Sequence, residues 1–191
     1  ESGVNMFHVN DTREGRKNEI SGYIKEGNQC VAVLLATADF EWTIRRAIMA
    51  LCPLPTSIVK EFILRNCSGP DSYGKVWNDL IANNKVLNIP NYSQNSLRLS
   101  KLIPHWILFK KAYDLRHKII HGVQGTTGLS FANNQVQYIL DATDVIIDFC
   151  TLNGVDLYKN LRYVKKLKSC NNCMAFKASK RFNKSKRNSG K

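Results

Sequence analysis

The sequence predicts an all-α bundle of four to six helices, on three observations. Cys30 to Leu51 is Ala/Leu-rich, lacks Pro and Gly, and repeats apolar residues at three- and four-residue spacing through Val33, Ala36, Phe40, Ile44 and Ala47. Pro104 to Ile120 and Asn134 to Leu152 show the same period. Trp106, Phe109, Tyr113 and Ile120 mark one stripe, and Val136, Ile139, Leu140, Thr143, Ile146, Ile147 and Cys150 the other. No segment shows the strict two-residue alternation of a half-buried strand, and no internal repeat is visible. Helices of mixed length joined by turns bury their stripes most simply against one another.

Taken in order, residues 1–28 are polar, with Gly3, Gly15, Gly22 and Gly27, and read as an extended arm or leader. Pro53 and Pro55 end the first long helix. Thr56 or Ser57 caps a short helix through Arg65. Ser68-Gly69-Pro70 is a turn, and Ser72 to Ala82 is expected to be helical, burying Val76, Trp77, Leu80 and Ile81. Residues 83–94 form a polar connection. Pro104 suits a first helical turn, where its missing donor would have no partner anyway. Gly122 suits a left-handed cap at the end of that helix. Gly125 to Gly128 is a loop, and Asn153-Gly154 stops the next helix. The organisation read from this is an arm over 1–28, a helical domain over 29–155, and a basic C-terminal helix (Asp156 to about Lys168) with a flexible tail over 156–191.

Charge is distributed unevenly. Net charge is +13, yet from Lys159 onward there are 12 basic residues and no acidic ones, leaving 16 of the 28 basic residues against all 15 acidic ones in the rest. A nearly neutral body thus carries a concentrated cation, which attracts polyanions, nucleic acid first. Lys165, Lys166, Lys168, Lys177, Lys180 and Arg181 are the candidate RNA contacts there, interleaved with Phe176 and Phe182, which suit stacking on unpaired bases. The plainer alternative is a solubilising tail without a dedicated partner.

No apolar run approaches the ~20 residues of a membrane span, and no secretory signal is readable at the N-terminus, so no membrane partner is expected. Cys30, Cys52 and Cys150 sit among apolar residues and behave as small hydrophobes, which points to a reducing, cytoplasmic compartment. Cys170-Asn-Asn-Cys173 has half of a zinc site's spacing, but a second pair is missing and no His follows. No metal and no cofactor are expected. Phosphate-loop and dinucleotide fingerprints are absent. Trp42, Trp77 and Trp106 read as core or dimer-interface residues.

The most specific segment is Tyr113-Asp-Leu-Arg-His-Lys-Ile-Ile-His-Gly122, which places Arg116, His117 and His121 at the end of a long helix. It resembles the Arg-x4–6-His signature of the HEPN superfamily, in which a polar residue often follows the Arg and Gly the His. The resemblance extends over residues 30 to 153, through a preceding long helix bearing Asp39, Glu41 and Arg45 and an amphipathic helix afterwards. It implies a HEPN-like bundle. It further implies a metal-independent ribonuclease acting as a homodimer, with one composite site where two motif helices meet. Other members of that superfamily are binding or scaffold domains. The resemblance also implies a toxin or host-defence role with an inhibitory partner or antitoxin, and a role for Glu41, or less so Asp39, in steering Arg116 or His121.

Residue chemistry agrees with that reading independently. Metal-free RNA cleavage needs a base for the 2′-OH proton and an acid for the leaving 5′-oxygen, and histidine titrates near neutrality. Arginine presents a planar donor fork matched to phosphate oxygens. Arg116 and His121 are five residues apart, about 140° around a helix, so a second subunit's copy is the simpler way to surround one phosphate. His121 is the candidate acid/base, Arg116 the phosphate binder, His117 an orienting group, and Lys118 an RNA contact. Against this stands a structural reading, in which His121 merely complements the helix dipole and Arg116 pairs with Asp114 or Asp39. The functional alternatives are a non-catalytic HEPN-like module, binding RNA or protein through its tail, and a piece of a larger protein, since the chain opens on Glu1 rather than Met.

Overall fold

Helix-compatible periodicity organises nearly the whole of the computed structural model of the protein, which describes residues 12–83, 92–123 and 125–159. Seven α-helices and no strand occur among the described residues: α1 (Arg13–Lys25), α2 (Gln29–Leu51), α3 (Thr56–Asn66), α4 (Pro70–Trp77), α5 (Leu99–Leu102), α6 (Trp106–Ile120) and α7 (Leu129–Leu152). The all-α class is as expected, with more helices than four to six. The described chain divides into two compact units, 12–47 with 103–159 and 48–83 with 92–102, so the stretch 29–155 read as one domain falls across both.

The first unit is built on the predicted stripes. Val33, Ala36, Phe40, Ile44 and Ala47 of α2 are all fully buried, as are Ile139 and Ile146 of α7. Phe40 meets Phe109 of α6 with ring centroids 4.7 Å apart. Each such large apolar side chain contributes about 1.5–3 kcal/mol on burial. Polar Thr143 enters this core because its hydroxyl donates to the Ile139 carbonyl at 2.8 Å. Ile120, expected inward, is half exposed, because it lies in the final turn of α6. Helix α6 starts at Trp106, not Pro104: His105 precedes it in the left-handed region (φ 54°) and breaks the helical path. Helix α7 starts five residues earlier than its stripe suggested. Leu129 and Phe131 of its first turn are exposed and leave no inward signal.

Of the arm read over 1–28, residues 1–11 lie outside the described residues, and the described part departs from an extended conformation. Thr12 caps α1 by accepting from the Gly15 N–H at 3.1 Å. One face of α1 buries Arg16, Ile20 and Ile24, at i, i+4 and i+8. Arg16 is 1% exposed and pairs with Asp39 of α2 at 2.6 Å, while Arg13 pairs with Asp39 and with Asp144 of α7. Lys17 reaches Asp144 at 2.6 Å. A charged residue thus occupies a core position and hides the stripe. Gly27 (φ 82°) then reverses the chain into α2.

Residues 156–159 also differ from expectation. They form a turn where a helix was predicted from Asp156, with the Asp156 carboxylate accepting from the Tyr158 N–H at 2.9 Å. Arg46 donates to the carbonyls of Leu157 (2.7 Å) and Lys159 (2.8 Å), and Arg16 reaches the Tyr158 hydroxyl at 2.8 Å. These bonds hold the turn against α1 and α2, and its backbone carbonyls are engaged outside any helical ladder. The remainder of that predicted helix and the tail lie outside the described residues.

The second unit packs α3, α4 and α5. α4 runs on through a π-helical turn, Asn78–Ala82, and buries Tyr73, Val76, Trp77, Leu80 and Ile81. The Trp77 indole N–H donates to the Leu97 carbonyl at 2.8 Å, which satisfies the one polar atom of a fully buried ring.

Candidate functional site

The site residues are positioned by how α6 ends. Gly122 takes φ 68°, and the Val123 N–H reaches back to the Lys118 carbonyl at 2.9 Å, closing the helix as a left-handed glycine cap does. His121 is the C-cap residue, and its N–H donates to the His117 carbonyl at 3.1 Å. His117 and His121 are four residues apart and therefore share a face. Their rings lie 4.2 Å apart between centroids, inclined at 56°, and both residues are exposed. Neither imidazole makes a side-chain hydrogen bond among the described residues. Two groups able to accept and donate protons therefore stand side by side, open to solvent.

Arg116 points differently, as one step around the helix requires. It faces α2, where its guanidinium lies 3.8 Å from Glu41 Oε1, beyond hydrogen-bond range, and 5.8 Å from the centre of the Tyr113 ring. Glu41 is held from two further directions. The Tyr113 hydroxyl donates to Oε1, and Arg45 Nη2 lies 3.1 Å from Oε2. The carboxylate is thus fixed, and Arg116 is braced beside it while keeping its donors available.

The structure brings Glu41 to Arg116 and His117 to His121. It places Asp39 elsewhere, on Arg13 and Arg16. Asp114 is exposed and makes no ion pair with Arg116 among the described residues, so neither alternative partner for Arg116 is the one found. Lys118 is exposed in the last turn of α6. Lys165, Lys166, Lys168, Lys177, Lys180, Arg181, Cys170 and Cys173 lie outside the described residues. Among those described, no three of the His, Cys, Asp and Glu side chains come together as a metal would require, and no helix is long and apolar enough to cross a membrane.

By its place in the apolar stripe of α6, Tyr113 is expected only in the core. It is buried, but its hydroxyl, one turn before Arg116, connects the core to Glu41. The signal was present, because a buried phenol needs a hydrogen-bond partner. No protein-family model, no curated protein and no solved structure matches the chain.

Proposed function

We propose that this protein is a metal-independent endoribonuclease of the toxin or defence type. The observation that carries this is the pair of exposed imidazoles 4.2 Å apart at the end of the helix that also carries Arg116, whose guanidinium lies 3.8 Å from Glu41. His121 takes the 2′-OH proton of RNA, and the 2′-oxygen attacks the adjacent phosphorus. Arg116 neutralises the charge that develops on the phosphate oxygens. The bond to the 5′-oxygen breaks as that oxygen receives a proton from a second imidazole, either His117 alongside or the same His121 of a second copy. The products are a 2′,3′-cyclic phosphate and a 5′-OH, and no metal takes part in these steps.

A homodimer with a composite Arg/His site is supported by the exposed apolar side chains flanking His121 along the chain: Ile120, Val123, Leu129 and Phe131. Such residues gain by covering one another across an interface. The basic tail supplies capture of RNA through its phosphates. A cytoplasmic enzyme of this kind needs restraint, which points to an inhibitory partner. The tail's charge equally favours a second reading, a non-catalytic module whose main activity is binding. Deleting residues 159–191 separates the two, since an enzyme keeps its chemistry with weaker capture.

The test is incubation of a mixed RNA pool in excess chelator with analysis of product ends. Cyclic-phosphate and 5′-OH ends are expected. Cleavage that needs a metal, or none at all, overturns the proposal.

A further inference from the structure

His117 and His121 stand four residues apart on α6, both exposed, with ring centres 4.2 Å apart. No described residue hydrogen-bonds either ring, so their nitrogens face solvent. Two imidazoles at this step on one helical face are an arrangement by which helices ligate transition metals. Metal–nitrogen bonds of about 2.1 Å at right angles place two imidazole centres about 4.5 Å apart. These exposed rings reach that geometry by turning about their own side-chain bonds. We infer that His117 and His121 form a chelating site for a divalent transition-metal ion that favours imidazole, such as Zn²⁺, and that loading it silences the ribonuclease proposed above. The silencing rests on that ribonuclease reading, and the site does not.

The backbone and the local charge support the site. The His121 N–H donates to the His117 carbonyl at 3.1 Å, so the helical register holds through the second ligand, and the Gly122 cap follows at once. Both ligands therefore stand on fixed backbone, and the second binds intramolecularly once the first has bound. The C-terminal end of a helix favours a cation. Arg116 and Lys118 oppose one, but Arg116 faces Glu41 and Lys118 is exposed to water. Asp114, one turn before His117, is exposed and carries the opposite sign. Two protein ligands are too few for a resident ion. Water fills the remaining positions, and the ion exchanges with the free pool. A ring nitrogen whose lone pair is given to a metal cannot take the 2′-OH proton. Metal at this pair therefore acts against the reaction, not in it.

The experiment measures binding apart from cleavage. Paramagnetic Ni²⁺ is titrated as its chloride into the full-length protein, and the ring-proton NMR signals of His8, His105, His117 and His121 are followed. The signals of His117 and His121 are expected to broaden together, before those of His8 and His105. His117→Ala or His121→Ala should each weaken binding at the surviving ring about 10²-fold, through loss of the intramolecular second ligand. Cu²⁺ should bind more tightly than Ni²⁺ and Co²⁺ less tightly, and Mg²⁺, which takes oxygen ligands, should not displace Ni²⁺. In single-turnover assays Ni²⁺ is expected to abolish wild-type cleavage at the concentration that broadens the pair, and chelator to restore it. Broadening of the pair no earlier than of His8 and His105, or affinity unmoved by either substitution, overturns the site. Undiminished cleavage with the pair loaded overturns the silencing. A loaded pair in a wild type that cuts no RNA even without metal would sink the ribonuclease reading and leave the metal site standing.

Discussion

Asp39 and Glu41 stand two residues apart on α2, and each faces two arginines. Two helical steps turn about 200°, so one acid looks toward α1 and α7 and the other toward α6. The Asp39 side chain has no exposed surface, and its partners Arg13 and Arg16 are 14% and 1% exposed. The Glu41 side chain keeps 18% of its surface and meets Arg116 only at 3.8 Å. The same charges do opposite work. In the buried cluster each partner is obligatory, because an unmatched charge without water is costly. In the open cluster water and incoming anions compete, so the partners are exchangeable. The first holds a helix in place, and the second suits a site.

The largest way to break this comparison is Asp39→Ala. It removes the carboxylate that Arg13 and the buried Arg16 share, leaving Arg13 with Asp144, and is expected to cost about 3–5 kcal/mol, a large share of a typical domain's stability. Denaturant titration measures it, and a loss below 1 kcal/mol would show that the cluster is not as closed as its geometry implies. Arg116→Ala is expected to do the reverse. Cleavage should fall about 10²–10³-fold, as when one donor to a developing oxyanion is removed, while the unfolding midpoint hardly moves. Tyr113→Phe keeps the ring near Arg116 and removes the hydroxyl that donates to Glu41, an expected loss of about 1 kcal/mol of stability. A comparable fall in cleavage at unchanged KM would mark Tyr113 as a positioning residue. Smallest should be Arg45→Ala, whose effect on stability is expected to stay within about 0.5 kcal/mol. One further check leaves the fold intact. Burial pushes the Cys150 thiol up to about 12, so native protein at pH 8 should alkylate there far more slowly than unfolded protein.

What the sequence made legible follows the same division. α2, α6 and α7 were readable because their inward residues are apolar and recur at the helical period. α1 was not, because Arg16 fills a core position and its partner Asp39 lies 23 residues away. Polarity there signals pairing at a distance, which no local pattern can show. The turn at 156–159 was misread for a related reason, since Arg16 and Arg46 hold it from far along the chain. At the site, the spacing of Arg116 and His121 was visible, while the four-residue step that sets His117 beside His121 is in the sequence but was not drawn from it. Glu41 could be named only through the family resemblance. The Glu41–Arg45 pair follows from four-residue spacing on one helix, whereas the hydroxyl of Tyr113 needed coordinates, because it meets Glu41 from another helix.

Single-turnover cleavage of RNA in excess chelator, by wild type and by His121→Ala of equal thermal stability, tests the central claim most directly. A fall of about 10²–10⁴-fold, the usual worth of a positioned proton-transfer group, with binding retained, is the predicted result. Cleavage at the wild-type rate by the variant would contradict it and remove His121 from the chemistry.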